Sequence, residues 1–166
     1  MPHIRQATPL DLHAMAVMKD AAWCESYADL LPADVLAGLS SRRPGVVAHW
    51  ESRMLDGGYF WVAEDAAGIA GLSHAGAARD AEAGIALELE MLYLRDRVKG
   101  TGLGQALLHT TIGDADAYLW VLEGNERAIA FYRREGFVPD GGIQDVRGLP
   151  GIREIRMVRR AGAEAD

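Results

Sequence analysis

Glu88 and Glu90 are the residues in this sequence best placed to do chemistry. They interrupt Leu87 to Leu94, LELEMLYL, a run otherwise of large, mostly apolar side chains. Such a run suits a strand buried on both faces. Residues two apart on a strand share a face, so both carboxylates point the same way. A buried carboxylate is costly unless it is paired or solvated, which implies a cleft beside the strand. Two like charges this close should raise at least one proton affinity, and desolvation adds to that. A raised carboxylate pKa suits a group that accepts a proton near neutral pH. Strand geometry alone does not separate the two, and one or both could instead pair with a basic side chain.

A glycine-rich turn follows. Gly100, Gly102 and Gly104 alternate with Thr101 and Leu103, and a helical pattern opens at Gln105. Glycines permit positive φ and close approach of a ligand to the backbone. Their N–H groups, with a helix N-terminus behind them, make a cradle for an anion. Arg95, Arg97 and Lys99 place three cations just before the first glycine, and phosphate is the natural anion for such a site. A nicotinamide dinucleotide fits poorly: the third glycine of its fingerprint would fall on Gln105 or on Leu107. The nucleotide P-loop pattern is absent.

The turn resembles motif A of the GNAT acetyltransferases: Gln or Arg, two free positions, Gly, one free position, then Gly or Ala. Anchored on the helix start, the pattern covers Lys99 to Gly104, with Lys99 departing from the usual Arg or Gln. The register Arg97 to Gly102 meets the consensus literally. The first is preferred because Leu92, Tyr93 and Leu94 then also fall where the family has them. A second stretch, Leu119 to Phe137, LWVLEGNERAIAFYRREGF, resembles motif B of the same family. Leu119, Val121, Asn125, Ala128, Phe131, Tyr132, Gly136 and Phe137 match in register.

The resemblance implies an N-acetyltransferase that moves an acetyl group from acetyl-CoA to a primary amine of a small molecule or peptide, by direct attack in a ternary complex. It implies a GNAT fold: a mixed, mostly antiparallel sheet flanked by helices, its central parallel strands splayed to admit the pantetheine arm. Cofactor contacts are then expected from Leu92, Tyr93 and Leu94, from Lys99, Gly100, Thr101, Gly102, Leu103, Gly104 and Gln105, and from Asn125 and Ala128. Tyr132 takes the family's place for the general acid, and Glu88 that of the base. Glu90 is the understudy, or a contact for a cationic acceptor. Trp23 and Tyr27 are expected at the acceptor side, with core packing as the competing reading. The chemistry asks for an amine that loses a proton, a stabilised oxyanion and a protonated thiolate, and proximity makes an acyl-enzyme unnecessary. Backbone N–H groups near Leu92 suit the thioester oxygen. Arg133, or Arg134 beside it, suits the remaining phosphate. The rival is a non-catalytic acyl-CoA-binding or regulatory domain on the same fold, separable by turnover against an amine panel.

Composition narrows the field further. The chain has 166 residues, 49% hydrophobic and 25% charged, which is ordinary globular composition and suits one domain over residues 1–160. A net charge of −7 disfavours nucleic acid as a partner. Cys24 is the sole cysteine, so no internal disulfide forms and a reducing cytoplasm is the simplest setting. The five histidines show no metal spacing, so no metal is expected. No run is long enough to span a membrane. Homodimerisation is left open.

The elements that must position these groups read in order. His3 to Gln6 is a strand, and Thr8, Pro9 and Asp11 start a helix to about Ala28. Lys19 spoils its apolar stripe, predicting a kink or partial exposure. Short helices Ala33 to Leu39 and Val46 to Leu55 follow, separated by the Ser40–Pro44 stretch. A hairpin over residues 59–73 leads to a mobile loop over residues 75–84. After the central strand, turn and helix come a strand at Tyr118 to Leu122, a helix capped by Asn125 and ended by Gly136, and two last strands separated by a glycine-rich loop from Asp140 to Gly151. Residues 161–166 read as a disordered tail.

Overall fold

The computed structural model describes residues 2–162. In chain order the elements are β1 (His3–Gln6), α1 (Leu12–Tyr27), α2 (Ala33–Ala37), α3 (Leu39–Leu55), β2 (Phe60–Asp65), β3 (Gly68–Ala77), β4 (Leu87–Leu94), α4 (Leu103–Ile112), β5 (Ala117–Leu122), α5 (Glu126–Arg134), β6 (Val138–Asp145) and β7 (Arg153–Arg159). The strands form one seven-stranded sheet in the order β1-β2-β3-β4-β5-β7-β6. β4 and β5 are parallel, with Glu88 opposite Tyr118, as a crossover through a helix requires. The pairs β1–β2, β2–β3, β5–β7 and β6–β7 are antiparallel. The expected mixed, mostly antiparallel α+β fold is therefore present. The chain forms two compact units: Met1–His74 with Met91–Thr111, and Ala75–Glu90 with Ile112–Asp166.

In the first unit, β2 and β3 carry apolar side chains on both faces. Phe60, Val62 and Leu72 pack with Leu12, Met15, Ala16, Met18 and Ala22 of α1 and with Trp50 of α3. Ala63 and Ala70 pack with Leu103 and Leu107 of α4. Gly71 makes this second contact possible: a Cβ there would lie 2.7 Å from Leu107 Cδ1 and 3.0 Å from Leu94 Cδ2. α1 is entered through a 3-10 turn, Pro9–Asp11. There the Thr8 amide and hydroxyl both donate to the Asp11 carboxylate, at 2.8 and 3.0 Å. Lys19 is buried in an unbroken helix, so the expected kink or exposure is corrected. Asp20 and the Trp23 ring beside it make burial tolerable. Likewise Ser40–Pro44 does not break the chain, and α3 runs straight through Pro44. Proline costs that helix one hydrogen bond, while Trp50 buried further along anchors it.

In the second unit, Asn125 caps α5 by accepting from the Ala128 amide at 3.3 Å, and Gly136 closes the helix at φ 86°. Ile129, Tyr132 and Phe137 are buried. The stretch expected as a mobile loop is organised instead. β3 continues to Ala77, and a 3-10 turn, Ala81–Ala83, is capped by Asp80. The Tyr118 hydroxyl accepts from the Arg79 and Asp80 amides at 3.0 and 2.9 Å. A sequence window of small residues shows no period, but a buried phenol on another strand supplies the missing partner. β6 similarly extends through Asp140–Gly142, by an irregularity between Pro139 and Ile143. Arg156 ties this part of β6 back through Asp140 at 2.8 Å. Ala161 and Gly162 form a turn, and the rest of the expected tail lies outside the described residues.

Candidate active site

The glycine turn belongs to the first unit and has the expected backbone. Gly100 and Gly102 have φ 80° and 87°, values at which an L side chain is strained. A Cβ at either would meet nothing within 4 Å, so the space over the turn is open. α4 begins at Leu103, and the N–H groups of its first turn have no partner within the helix. Thr101 steadies the turn by donating to the Val98 carbonyl at 2.7 Å. Gln105 is exposed on the first turn of α4. An open, left-handed glycine cradle at a helix N-terminus fits a pyrophosphate.

The preceding cations are not free to serve it. Arg95 pairs with Glu25 at 2.8 Å, Arg97 with Asp65 at 3.0 Å, and Lys99 with Asp96 at 2.6 Å. Lys99 also donates to Ser26 at 2.9 Å. Burial would push the Glu25 carboxyl up, but its bonds to Arg95 and the Asp96 amide hold it below the ordinary range. These pairs hold the turn in place. This corrects the expectation that the cations face the ligand. Two of the cancelling carboxylates, Glu25 and Asp65, come from distant parts of the sequence.

Leu92 and Leu94 of β4 lean on the cluster with Leu103 and Leu107. Tyr93 points to the other core and meets Trp23 edge-on, ring centroids 6.1 Å apart. Trp23 meets Tyr27 in the same way at 5.3 Å. The structure thus brings Trp23, Tyr27 and Tyr93 together.

In the second unit, Glu88 is 2% exposed. Arg79 grips it with Nε and Nη2 at 3.0 and 2.6 Å, and the Tyr118 hydroxyl donates to it at 2.8 Å. Burial alone would push this carboxyl up, but the hydrogen bonds from Arg79 and Tyr118 outweigh it and hold it below the ordinary value. The expectation of a raised proton affinity therefore fails at Glu88. A guanidinium and a phenol stabilise the ionised form more than burial opposes it. Glu90 is half-buried on the same strand. Tyr132 is buried on α5, its ring edge-on to Phe131 at 5.2 Å and to Phe137 at 5.8 Å. Arg133 and Arg134 are exposed on the last turn of α5. Asn125 and Ala128 are joined by the helix cap described above.

Sequence reasoning missed Arg79, Tyr118 and the burial of Lys19. Arg79 sits in the window without a period. Tyr118 reads as one more apolar residue of a strand. Lys19 carried a signal, a charge inside an apolar stripe. Among the described residues, no three His, Cys, Asp or Glu side chains are grouped to hold a metal ion. No helix among them is long and apolar enough to cross a membrane.

This sheet order, with one parallel pair and a glycine turn opening the helix between its strands, defines the acetyltransferase architecture anticipated from the motifs. The model of the acetyltransferase (GNAT) domain matches residues 56–139, just over half of the chain. The chain belongs to the GNAT acetyltransferase family. It is 27% identical over 153 residues to a probable N-acetyltransferase of Mycobacterium tuberculosis, covering 90% of this chain and 87% of that one. It is 28% identical over 160 residues to an uncharacterized N-acetyltransferase of Bacillus subtilis, covering 92% and 88%. Among solved structures, it superposes on the PaiA N-acetyltransferase of Thermoplasma acidophilum in complex with coenzyme A, with a TM-score of 0.72 and 18% identity over 96% of this chain and 99% of that one.

Proposed function

We propose that this chain is an acetyl-CoA-dependent N-acetyltransferase acting on a primary amine by direct attack in a ternary complex. The observation that carries this reading is the open cradle at Gly100 and Gly102 before α4, in a chain of the GNAT family. The amides of the turn Lys99 to Gln105 hold the pyrophosphate of the donor. The amide of Leu92 donates to the thioester oxygen and to the oxyanion that follows, where fixed donors act strongly. Arg133 supplies a cation for the remaining phosphate. Trp23 and Tyr27 form the aromatic wall for the acceptor.

The proton transfers fall to Tyr132 and to one glutamate. Tyr132 donates to the departing thiolate, since a phenol with a reference pKa of ~10 is protonated at neutral pH. Of the two glutamates, Glu90 is the better base on this geometry. Glu88 is already spent on Arg79 and Tyr118 and is held ionised by them, which weakens it as a proton acceptor. In this reading Glu88 fixes β4 and the Arg79 loop, and Glu90 takes the amine proton directly or through a water.

The test is Gly102→Asp, which adds bulk and negative charge where the pyrophosphate sits. It should abolish acetyl-CoA binding, measured by titration calorimetry, while circular dichroism stays that of the parent. A folded variant that binds acetyl-CoA as the parent does would sink the assignment.

A further inference from the structure

Lys19 and Trp23 lie one turn apart on α1, in surroundings unlike those of an ordinary packed helix face. Lys19 is 8% exposed. Its Nζ stands 3.4 Å from Asp20 Oδ1 and 4.4 Å from the centroid of the Trp23 ring. An ammonium has three donors, so these contacts leave donors unused. Asp20 is itself taken by Arg43, whose Nε and Nη2 lie 2.9 and 2.8 Å from Oδ2. Burial pushes the Lys19 amine down, and the charges of Arg42 and Arg43 push it the same way. Lys19 and Arg43 therefore share one carboxylate, with the Arg42 charge also acting on Lys19, in a chain whose net charge is −7.

Trp23 adds a second, independent sign. Its Nε1 is buried with no hydrogen-bond partner among the described residues. Leaving a buried donor unpaired is costly. A surplus of positive charge and an unused N–H on the same helix face both ask for an anion. The walls are aromatic, since Trp23 packs edge-on against Tyr27 and Tyr93. Tyr93 belongs to the same stretch of β4 as Leu92. Two of the acidic groups that could serve a purely cationic acceptor are engaged elsewhere. Glu25 accepts from Arg95 and from the Asp96 amide, and Glu88 from Arg79.

We infer that the Lys19–Trp23–Arg43 cluster recognises a carboxylate of the acceptor, which is therefore an amino acid with an apolar or aromatic side chain. This rests on the acetyltransferase reading above. The Lys19 ammonium and the Trp23 N–H donate to the carboxylate, Arg43 adds long-range attraction, and Tyr27 and Tyr93 flank the side chain. The site thus discriminates by charge as well as by shape, because an acceptor without the carboxylate leaves the buried donors unpaired.

The experiment follows free-thiol release from acetyl-CoA by the intact protein. The acceptors are the common L-amino acids, together with the amines that remain when the carboxylate is removed from phenylalanine, tryptophan, methionine and leucine. At least one amino acid should be turned over with kcat/KM about 10-fold or more above its carboxylate-free counterpart, the size of one charge-assisted hydrogen bond. Lys19→Gln should raise KM for that amino acid about 10-fold or more, leave kcat and the KM for acetyl-CoA nearly unchanged, and level the pair. Trp23→Phe keeps an aromatic wall, removes the N–H together with part of the ring, and should shift the ratio in the same direction by less. Lys19→Arg should restore part of the preference. Where circular dichroism shows that Lys19→Gln does not fold, the Trp23→Phe ratio decides. Turnover confined to carboxylate-free amines overturns the inference. So does a preference that survives both variants, or acetyl-CoA binding with no amino acid turned over. Failure to bind acetyl-CoA at all brings down the acetyltransferase reading first and this inference with it.

Discussion

Glu88 shows how a neighbour reverses the sign of a residue's chemistry. On a bare strand, two carboxylates on one face repel and one is pushed toward neutrality. Arg79 and Tyr118 turn Glu88 the other way. Its folded-state value lies below the ordinary 4.5, so the stability it contributes is complete above that value and is lost as the pH falls through the folded value. Glu88→Gln should therefore lower Tm at pH 7, by an amount corresponding to about 1–3 kcal/mol. The gap between variant and parent should hold above the ordinary carboxylate value and close as the pH falls through the lower folded value, and a constant gap would contradict the pairing. Catalysis separates the two glutamates. Glu90→Gln should lose the acidic limb of the pH–rate profile, while Glu88→Gln keeps that limb; the reverse pattern returns the base role to Glu88. Tyr132→Phe preserves the packing against Phe131 and Phe137 and removes only the hydroxyl. It should lower kcat by about 10²-fold or more if the phenol protonates the thiolate, and parental turnover would reduce Tyr132 to packing.

At the scale of elements, the turn is only as well placed as the helix behind it. α4 reaches β3 because Gly71 has no side chain. The colliding group, Leu107 Cδ1, belongs to a residue with 0% exposure, and Gly71 lies against Ala63 on the other side. Neither neighbour has room to move, so Gly71→Ala is an overpacking change. It should cost about 1–3 kcal/mol and lower Tm by roughly 2–10 °C. A differential scanning calorimetry trace that matches the parent would show that α4 can ride outward on the sheet. The pairs Arg95–Glu25 and Arg97–Asp65 also hold the turn, but they are partly exposed, and each is worth little by itself. Packing, not ion pairing, sets the position of α4.

For the whole molecule, a donor that binds only the folded chain must raise its stability by mass action. At a ligand concentration of 100 times Kd the gain is about 2.7 kcal/mol. Acetyl-CoA should raise the unfolding midpoint by several degrees, and the rise should grow with concentration. NADH and ATP at the same concentrations should produce no comparable rise. A midpoint indifferent to acetyl-CoA would remove the basis for the whole functional reading. A larger shift with NADH would revive the dinucleotide reading that the glycine spacing disfavours.

Much of this protein is written locally in its sequence. The run LELEMLYL, the alternation of Gly100, Gly102 and Gly104, and the pairing of Asn125 with Gly136 act through neighbouring residues. The strand, the cradle and the capped helix therefore follow from short-range stereochemistry. The parallel setting of β4 and β5 follows too, because a helix intervenes. What the sequence could not settle was which charges are spent. Arg95 finds Glu25 seventy residues away, Arg97 finds Asp65, and Arg79 and Tyr118 converge on Glu88. Each partnership depends on strands and helices brought together by the core, so composition and spacing see only the charges and not their cancellation. The order of the loop after β3 has the same origin, since the Tyr118 hydroxyl becomes its partner only through packing. For Lys19 the partners, Asp20 and the Trp23 ring, are local to α1, and packing decides only that the group is buried. Local rules fix the elements, and long-range contacts decide which polar groups remain available for chemistry.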